Sequence, residues 1–138
     1  METLETYKSF NRDKSFEELQ YNTASAIAKL ENLKFELDFL NILLDRAIFK
    51  PNIMNLYERL TAFKHEINTA NKNTDTLLTA LKSHAHHIQN KMECDDLACD
   101  TFFTRKHDEM EHQQFKHHSE INNLKFRLFQ YLESVITD

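Results

Sequence analysis

Apolar residues in this chain recur every three or four positions, in strict alternation, and they do so three times over. The first run is Phe16, Leu19, Thr23, Ala26, Leu30, Leu33, Leu37, Leu40, Leu44, Ala47. The second is Ile53, Leu56, Leu60, Phe63, Ile67, Ala70, Thr74, Leu77, Leu81, His84, Ile88. The third is Phe103, His107, Met110, Gln114, His117, Ile121, Leu124, Leu128, Tyr131, Val135. Spacing of this kind keeps one narrow stripe of each helix against a partner, which is a heptad seam. Composition agrees. The chain has 138 residues, no Gly and one Pro. Without Gly, positive-φ turns are hard to make, so tight hairpins and sheets are disfavoured.

Punctuation divides the seams. Ser15 and Glu18 form a capping-box pattern before the first. Pro51 disfavours helix in the residue before it and suits the opening of the next helix. The stretch "ECDDLACD" is the second connection, with Asp95 or Asp96 as a cap for the third helix. The expected organisation is a single helical domain over 1–138: a tail at 1–13, then helices at about 15–48, 52–92 and 97–136. Short connections make neighbours antiparallel, so the predicted fold is an all-α up-down-up three-helix bundle or coiled coil with long helices. The polar stretch "NTANKNTDT" is a poor helix former. If helix 2 breaks near 71–76, a four-helix bundle is the alternative.

This topology predicts a polarised molecule. Thr23, Thr74 or Leu77, Gln114 and His117 fall near one level. His84, His107 and Phe16 fall near another. The far end collects Phe35, Phe39, Leu43, Phe49, Ile53, Phe126 and Phe129.

Charge excludes some functions. The formal net charge is −5, which weakens a nucleic-acid reading. Residues 14–48 carry a net −2, residues 49–92 a net +3 and residues 93–138 a net −5, a pattern suited to mutually packed helices. A basic stripe on residues 50–91 that binds an acidic partner is a weaker alternative. The N-terminus lacks the apolar core of a secretory signal, and no run approaches the length of a membrane span. The expected location is the cytoplasm. Cys94 and Cys99 then read as reduced thiols, with a local disulfide as the reading for an exported chain.

The eight histidines are the chemical candidates. His107, Glu111, Gln114 and His118 recur at four, three and four residues and share a stripe beside the core seam. His84 and His87 form an i,i+3 pair on helix 2. A metal site drawn from His84, His87, His107 and Glu111, with Glu17 or Glu18 from helix 1, would suit zinc or iron and would admit hydrolytic or oxidoreductase chemistry. The pattern lacks the paired Glu-x-x-His motifs of di-iron bundles; only Glu109-x-x-His112 is present, and there is no H-E-x-x-H. The structural reading weighs more. Core-edge histidines that bond neighbouring Gln, Thr or Glu explain His84, His107 and His117, and a polar layer fixes register. A pH-responsive role is the third reading, since protonating all eight histidines would move the net charge from −5 to about +3.

No catalytic arrangement is visible. No base accompanies Cys94 or Cys99, and no Gly-rich loop cradles phosphate. The expectation is a non-enzymatic interaction or scaffold protein with no cofactor, whose partner is protein, foremost a second copy of itself. Phe35, Phe39, Phe126 and Phe129 are the predicted interface, with Phe39 and Phe126 first because Phe126 lies well off its own seam.

Overall fold

The computed structural model describes residues 7–11, 14–91 and 97–138, and of these the side chains of residues 91 and 97–100 lie outside the description. Cys94, Asp95 and Asp96 lie outside the described residues, as does the side chain of Cys99, so the readings of the thiols and of the third helix's cap fall there too. Three helices make the fold: α1 (Phe16–Leu44), α2 (Leu56–Lys91) and α3 (Leu97–Val135). Among the described residues the only β pairing is a single bridge between Phe49 and Ile136. The chain is an all-α three-helix bundle.

The heptad positions become the core. On α1 the buried residues are Leu19, Thr23, Ala26, Leu30, Leu33, Leu37, Leu40 and Leu44, all on the first seam. On α2, Leu60, Phe63, Ile67, Ala70, Leu77, Leu81 and Ile88 are buried apolar members of the second seam, and Leu78 joins them from beside it. On α3, Met110, Ile121, Leu124, Leu128 and Val135 are buried on the third seam, with Leu132 next to it. One continuous cluster links all three helices.

Ion pairs and amide contacts report the direction and register of packing. Lys34, Asp38, Asn41 and Asp45 of α1 and its end meet Asp75, Asn71, Asn68 and Lys64 in that order. The first series climbs by four, three and four while its partners descend by the same steps, so α1 and α2 are antiparallel and in constant register. Glu66 and Thr74 of α2 likewise meet Arg127 and His117 of α3 in descending order. Exposed pairs of this kind contribute little to stability, about 0–1 kcal/mol each, but they disfavour slipped registers. Between α1 and α3, which run parallel, side chains bridge at Thr23–His107 and at Glu36–Lys125, the latter at 2.8 Å.

Helix 1 begins as its capping box dictates. The Ser15 hydroxyl accepts from the Glu18 amide at 3.2 Å, and the Glu18 carboxylate accepts from the Ser15 amide at 3.2 Å. Ser15→Ala should lower unfolding free energy by about 1 kcal/mol in a thermal or urea melt. An unchanged midpoint would show that the cap contributes nothing here.

The first connection departs from the expected boundaries. Helix 1 stops at Leu44 and not 48, and α2 starts at Leu56 and not 52, so Pro51 precedes the helix and does not open it. The cause is a competing set of backbone bonds. Lys50 N–H donates to Val135 C=O at 2.8 Å and Thr137 N–H donates to Ile48 C=O at 2.8 Å. Those bonds hold residues 48–50 extended beside the end of α3. Asn52 and Asn55 then take positive φ of 63° and 59°, the left-handed conformation that Asn tolerates best after Gly. Helix 2 does not break near 71–76, which removes the four-helix alternative. Thr74 stays helical because its hydroxyl bonds the Ala70 carbonyl at 2.8 Å and its methyl side joins the core.

The tail is also not free. Residues 7–11 lie against α3, and Asn11 is 1% exposed.

Candidate functional site

Two polar layers interrupt the apolar core, and each is built from a threonine and an α3 imidazole. In the first, the Thr74 hydroxyl gives its proton to Ala70 C=O, so its oxygen is left to accept. His117 Nε2 lies 2.7 Å away and must therefore be the donor. In the second, the Thr23 hydroxyl donates to Leu19 C=O at 2.8 Å and sits 3.5 Å from His107 Nδ1. Thr23 thus joins His107, and not His117 and Gln114 as the simple level count predicts.

The second layer extends to a second imidazole, with a carboxylate nearby. His107 Nε2 faces Glu111 Oε2 at 3.6 Å, and His107 Nδ1 is 3.2 Å from His84 Nε2. Glu111 is beyond hydrogen-bond reach, and His107 Nε2 is buried without a hydrogen-bond partner. One imidazole donates to the other across the 3.2 Å contact between His84 Nε2 and His107 Nδ1. His84 Nδ1 is likewise buried with no hydrogen-bond partner. The two rings are 1% and 4% exposed, which makes protonation costly. Burial is the main cause that lowers the His84 pKa to about 4, with His107, Lys106 and His87 adding repulsion. Burial also lowers His107, against the pull of Glu111 and Asp108, and lowers His117 and His118.

Glu111 is also where the N-terminal segment attaches. Tyr7 Oη donates to Glu111 Oε1 at 3.0 Å, and Asn11 Nδ2 donates to Glu111 Oε2 at 3.2 Å and to Asp108 Oδ1 at 2.7 Å. The Ser9 hydroxyl donates to the same Asp108 oxygen. The Tyr7 ring packs edge-on against His112 and leans on Phe115. Burial and the Glu111 carboxylate push the Tyr7 phenol up to about 12. Tyr7, Ser9 and Asn11 carry no periodic signal, so a seam-based reading passes over them.

The structure therefore brings together three of the four metal candidates, His84, His107 and Glu111, and leaves His87 exposed. Glu17 is exposed, and Glu18 is engaged in the helix cap. Among the described residues no group of three or more His, Cys, Asp or Glu side chains is placed to hold a metal ion. His86 and His112 are exposed as well. Gln114 and His118 line a groove with Glu111, in keeping with their shared stripe.

Exposed phenylalanines occur at both ends, Phe10 and Phe102 at the histidine-bearing one and Phe35, Phe39, Phe126 and Phe129 toward the other. Phe35 is 74% exposed, Phe39 59%, Phe126 47%, Phe129 46% and Ile42 50%. Helical phase puts Phe35, Phe39 and Ile42 on the side of α1 opposite its leucine seam. Phe126 and Phe129 follow Lys125, whose ammonium meets Glu36, so along the bundle axis they stand level with Phe39. Leu43 and Phe49 instead pack on the core and are covered in part.

Fold and sites together define a three-helix antiparallel bundle with a buried imidazole pair at one end and a group of exposed Phe and Ile side chains toward the other. Comparison with protein-family models, with characterised proteins and with solved structures finds no match to this chain. Among the described residues no helix is long and apolar enough to cross a membrane.

Proposed function

We propose that this chain is a non-enzymatic helical-bundle scaffold that associates with a second copy of itself through the phenylalanine surface of α1 and α3. The observation that carries the reading is the exposure of Phe35, Phe39, Ile42, Phe126 and Phe129 at one level of the bundle. Single exposed apolar residues are ordinary; a group of five at one level, four of them Phe, is the mark of an association surface. Their exposed area is roughly 500 Å² per copy, so a pair would bury at most about 1,000 Å² through them, the lower limit for a specific interface. Beside Phe35 lie Glu31, Lys34 and Asp38, charges of both signs that tolerate a like surface. His84 and His107 are turned toward one another in the core and serve register in this reading.

Sedimentation equilibrium at tens of micromolar should give twice the chain mass. Phe39→Glu with Phe126→Glu should return the chain mass with helicity unchanged, because both positions are solvent-facing in the single chain. A wild-type chain that stays monomeric at that concentration ends the self-association reading.

A further inference from the structure

The groove between the N-terminal segment, α1 and α3 has no part in self-association, since it lies at the histidine-bearing end. It encloses about 420 Å³. Its walls carry Lys8 from the segment, Asn22, Ser25 and Lys29 from α1, and Gln114 and His118 from α3. Helical phase explains the gathering: 22, 25 and 29 make one stripe of α1, and 114 and 118 make one stripe of α3.

What sets the groove apart is the balance of donors and acceptors. Among the described residues, the side chains of Lys8, Lys29, Asn22, Ser25 and Gln114 make no hydrogen bond or ion pair, and the buried His118 Nε2 has no partner. The one carboxylate in the wall, Glu111, is already engaged on both oxygens, by Tyr7 and by Asn11. Two lysines and several neutral donors thus line the groove against one carboxylate among the described residues, Glu111, which keeps its charge although both oxygens accept hydrogen bonds. This occurs on a chain whose net charge is −5, so it is a local feature. Lys29 and Lys125 disfavour a proton on His118, and burial does so more strongly. Phe115 and the Tyr7 ring, 5.9 Å apart, supply an apolar wall at one side.

We propose that this groove is a binding site for a small organic oxyanion, a phosphate monoester or a carboxylate, held between Lys8 and Lys29 with Asn22, Ser25 and Gln114 as neutral donors. Charge-assisted bonds to an oxyanion are the strongest such donors can make in a partly dry groove. The bound anion would also offset the positive field around His118, so binding and protonation of that ring are linked.

The test uses the full chain at neutral pH and low ionic strength, where screening is weak. Inorganic phosphate is titrated while backbone amides and imidazole signals are followed by NMR. The expected result is saturable shifts at Asn22, Ser25, Lys29 and Gln114, with the His118 pKa rising in phosphate. Lys8→Gln and Lys29→Gln should each weaken phosphate about tenfold, as loss of one charge-assisted contact does, and both residues are exposed, so the variants should fold. Lys72→Gln on α2, outside the groove, should bind as wild type. Acetate that displaces phosphate assigns the site to carboxylate ligands, and acetate that fails to displace it assigns the site to phosphate monoesters. Absence of saturable shifts, or equal weakening by Lys72→Gln and Lys29→Gln, would overturn the proposal.

Discussion

Leu128→Ala should lower the free energy of unfolding by about 3–4 kcal/mol, the cost of deleting buried methyl groups plus the cavity left behind. Leu128 is fully buried, in the C-terminal third of the third seam, within the same cluster as Leu37 and Ile67, which are equally covered. All three helices converge on that layer, so its walls cannot relax inward without dragging the seams of two neighbours. A domain of this size would lose roughly 10 °C in melting midpoint. Leu128→Met conserves volume and should cost under about 1.5 kcal/mol. Phe35→Ala is the informative contrast. At 74% exposure it should change single-chain stability by no more than about 0.5 kcal/mol. Urea denaturation of the three variants checks all of this. A Leu128→Ala loss below about 1 kcal/mol would mean the seam is loosely packed and the bundle geometry is wrong at its centre. A larger Phe35→Ala loss that grows with protein concentration would instead report the association of copies, because a dimer's stability depends on concentration.

Which parts of this molecule were legible from residues follows from the physics of each part. Heptad spacing is a repeated local signal with one geometric solution, so the seams translate almost position by position into buried residues. Thr74 shows why "NTANKNTDT" does not break α2. Its low propensity is outweighed by a hydroxyl satisfied within the helix, while Asn71 reaches across to Asp38. The 45–55 connection was less readable. Pro51 gives a correct local rule, yet residues 48–50 pair with residues about ninety positions away, and no local pattern announces that. The docking of Tyr7, Ser9 and Asn11 on Asp108 and Glu111 fails for the same reason, being a set of long-range polar contacts without period. The histidines fall between. Periodicity places His84 and His107 at a shared level, but only the fold sets His107 beside Thr23 and His117 beside Thr74 and turns His87 to solvent.

Acid should weaken the fold well before carboxylates titrate. His84 is neutral in the bundle with a pKa of about 4, whereas in the unfolded chain it takes a proton near 6.5. Between those values the unfolded state binds more protons than the native state, so stability falls as pH falls. The contribution of His84 is complete above about pH 6.5, declines through the interval, and is gone below about pH 4. Its size is about 3 kcal/mol at an order-of-magnitude level. His107, His117 and His118 are lowered in the same direction and add to the slope beneath pH 6.5. The pair sets a further limit. One proton can rest on His107 between Glu111 and His84, with the carboxylate as counter-charge. A second would place two N–H groups and two cations face to face across 3.2 Å. Against a total stability of about 5–15 kcal/mol, that loss is large. Melting midpoints should therefore drop from pH 7.5 to pH 5.5 and drop further at pH 4.5. His84→Leu should flatten the profile over this range whatever it does to stability at pH 7.5. Equal midpoints for the wild-type chain at pH 7.5 and 5.5 would show that the imidazoles are hydrated and protonate freely, and the buried imidazole pair would have to be abandoned.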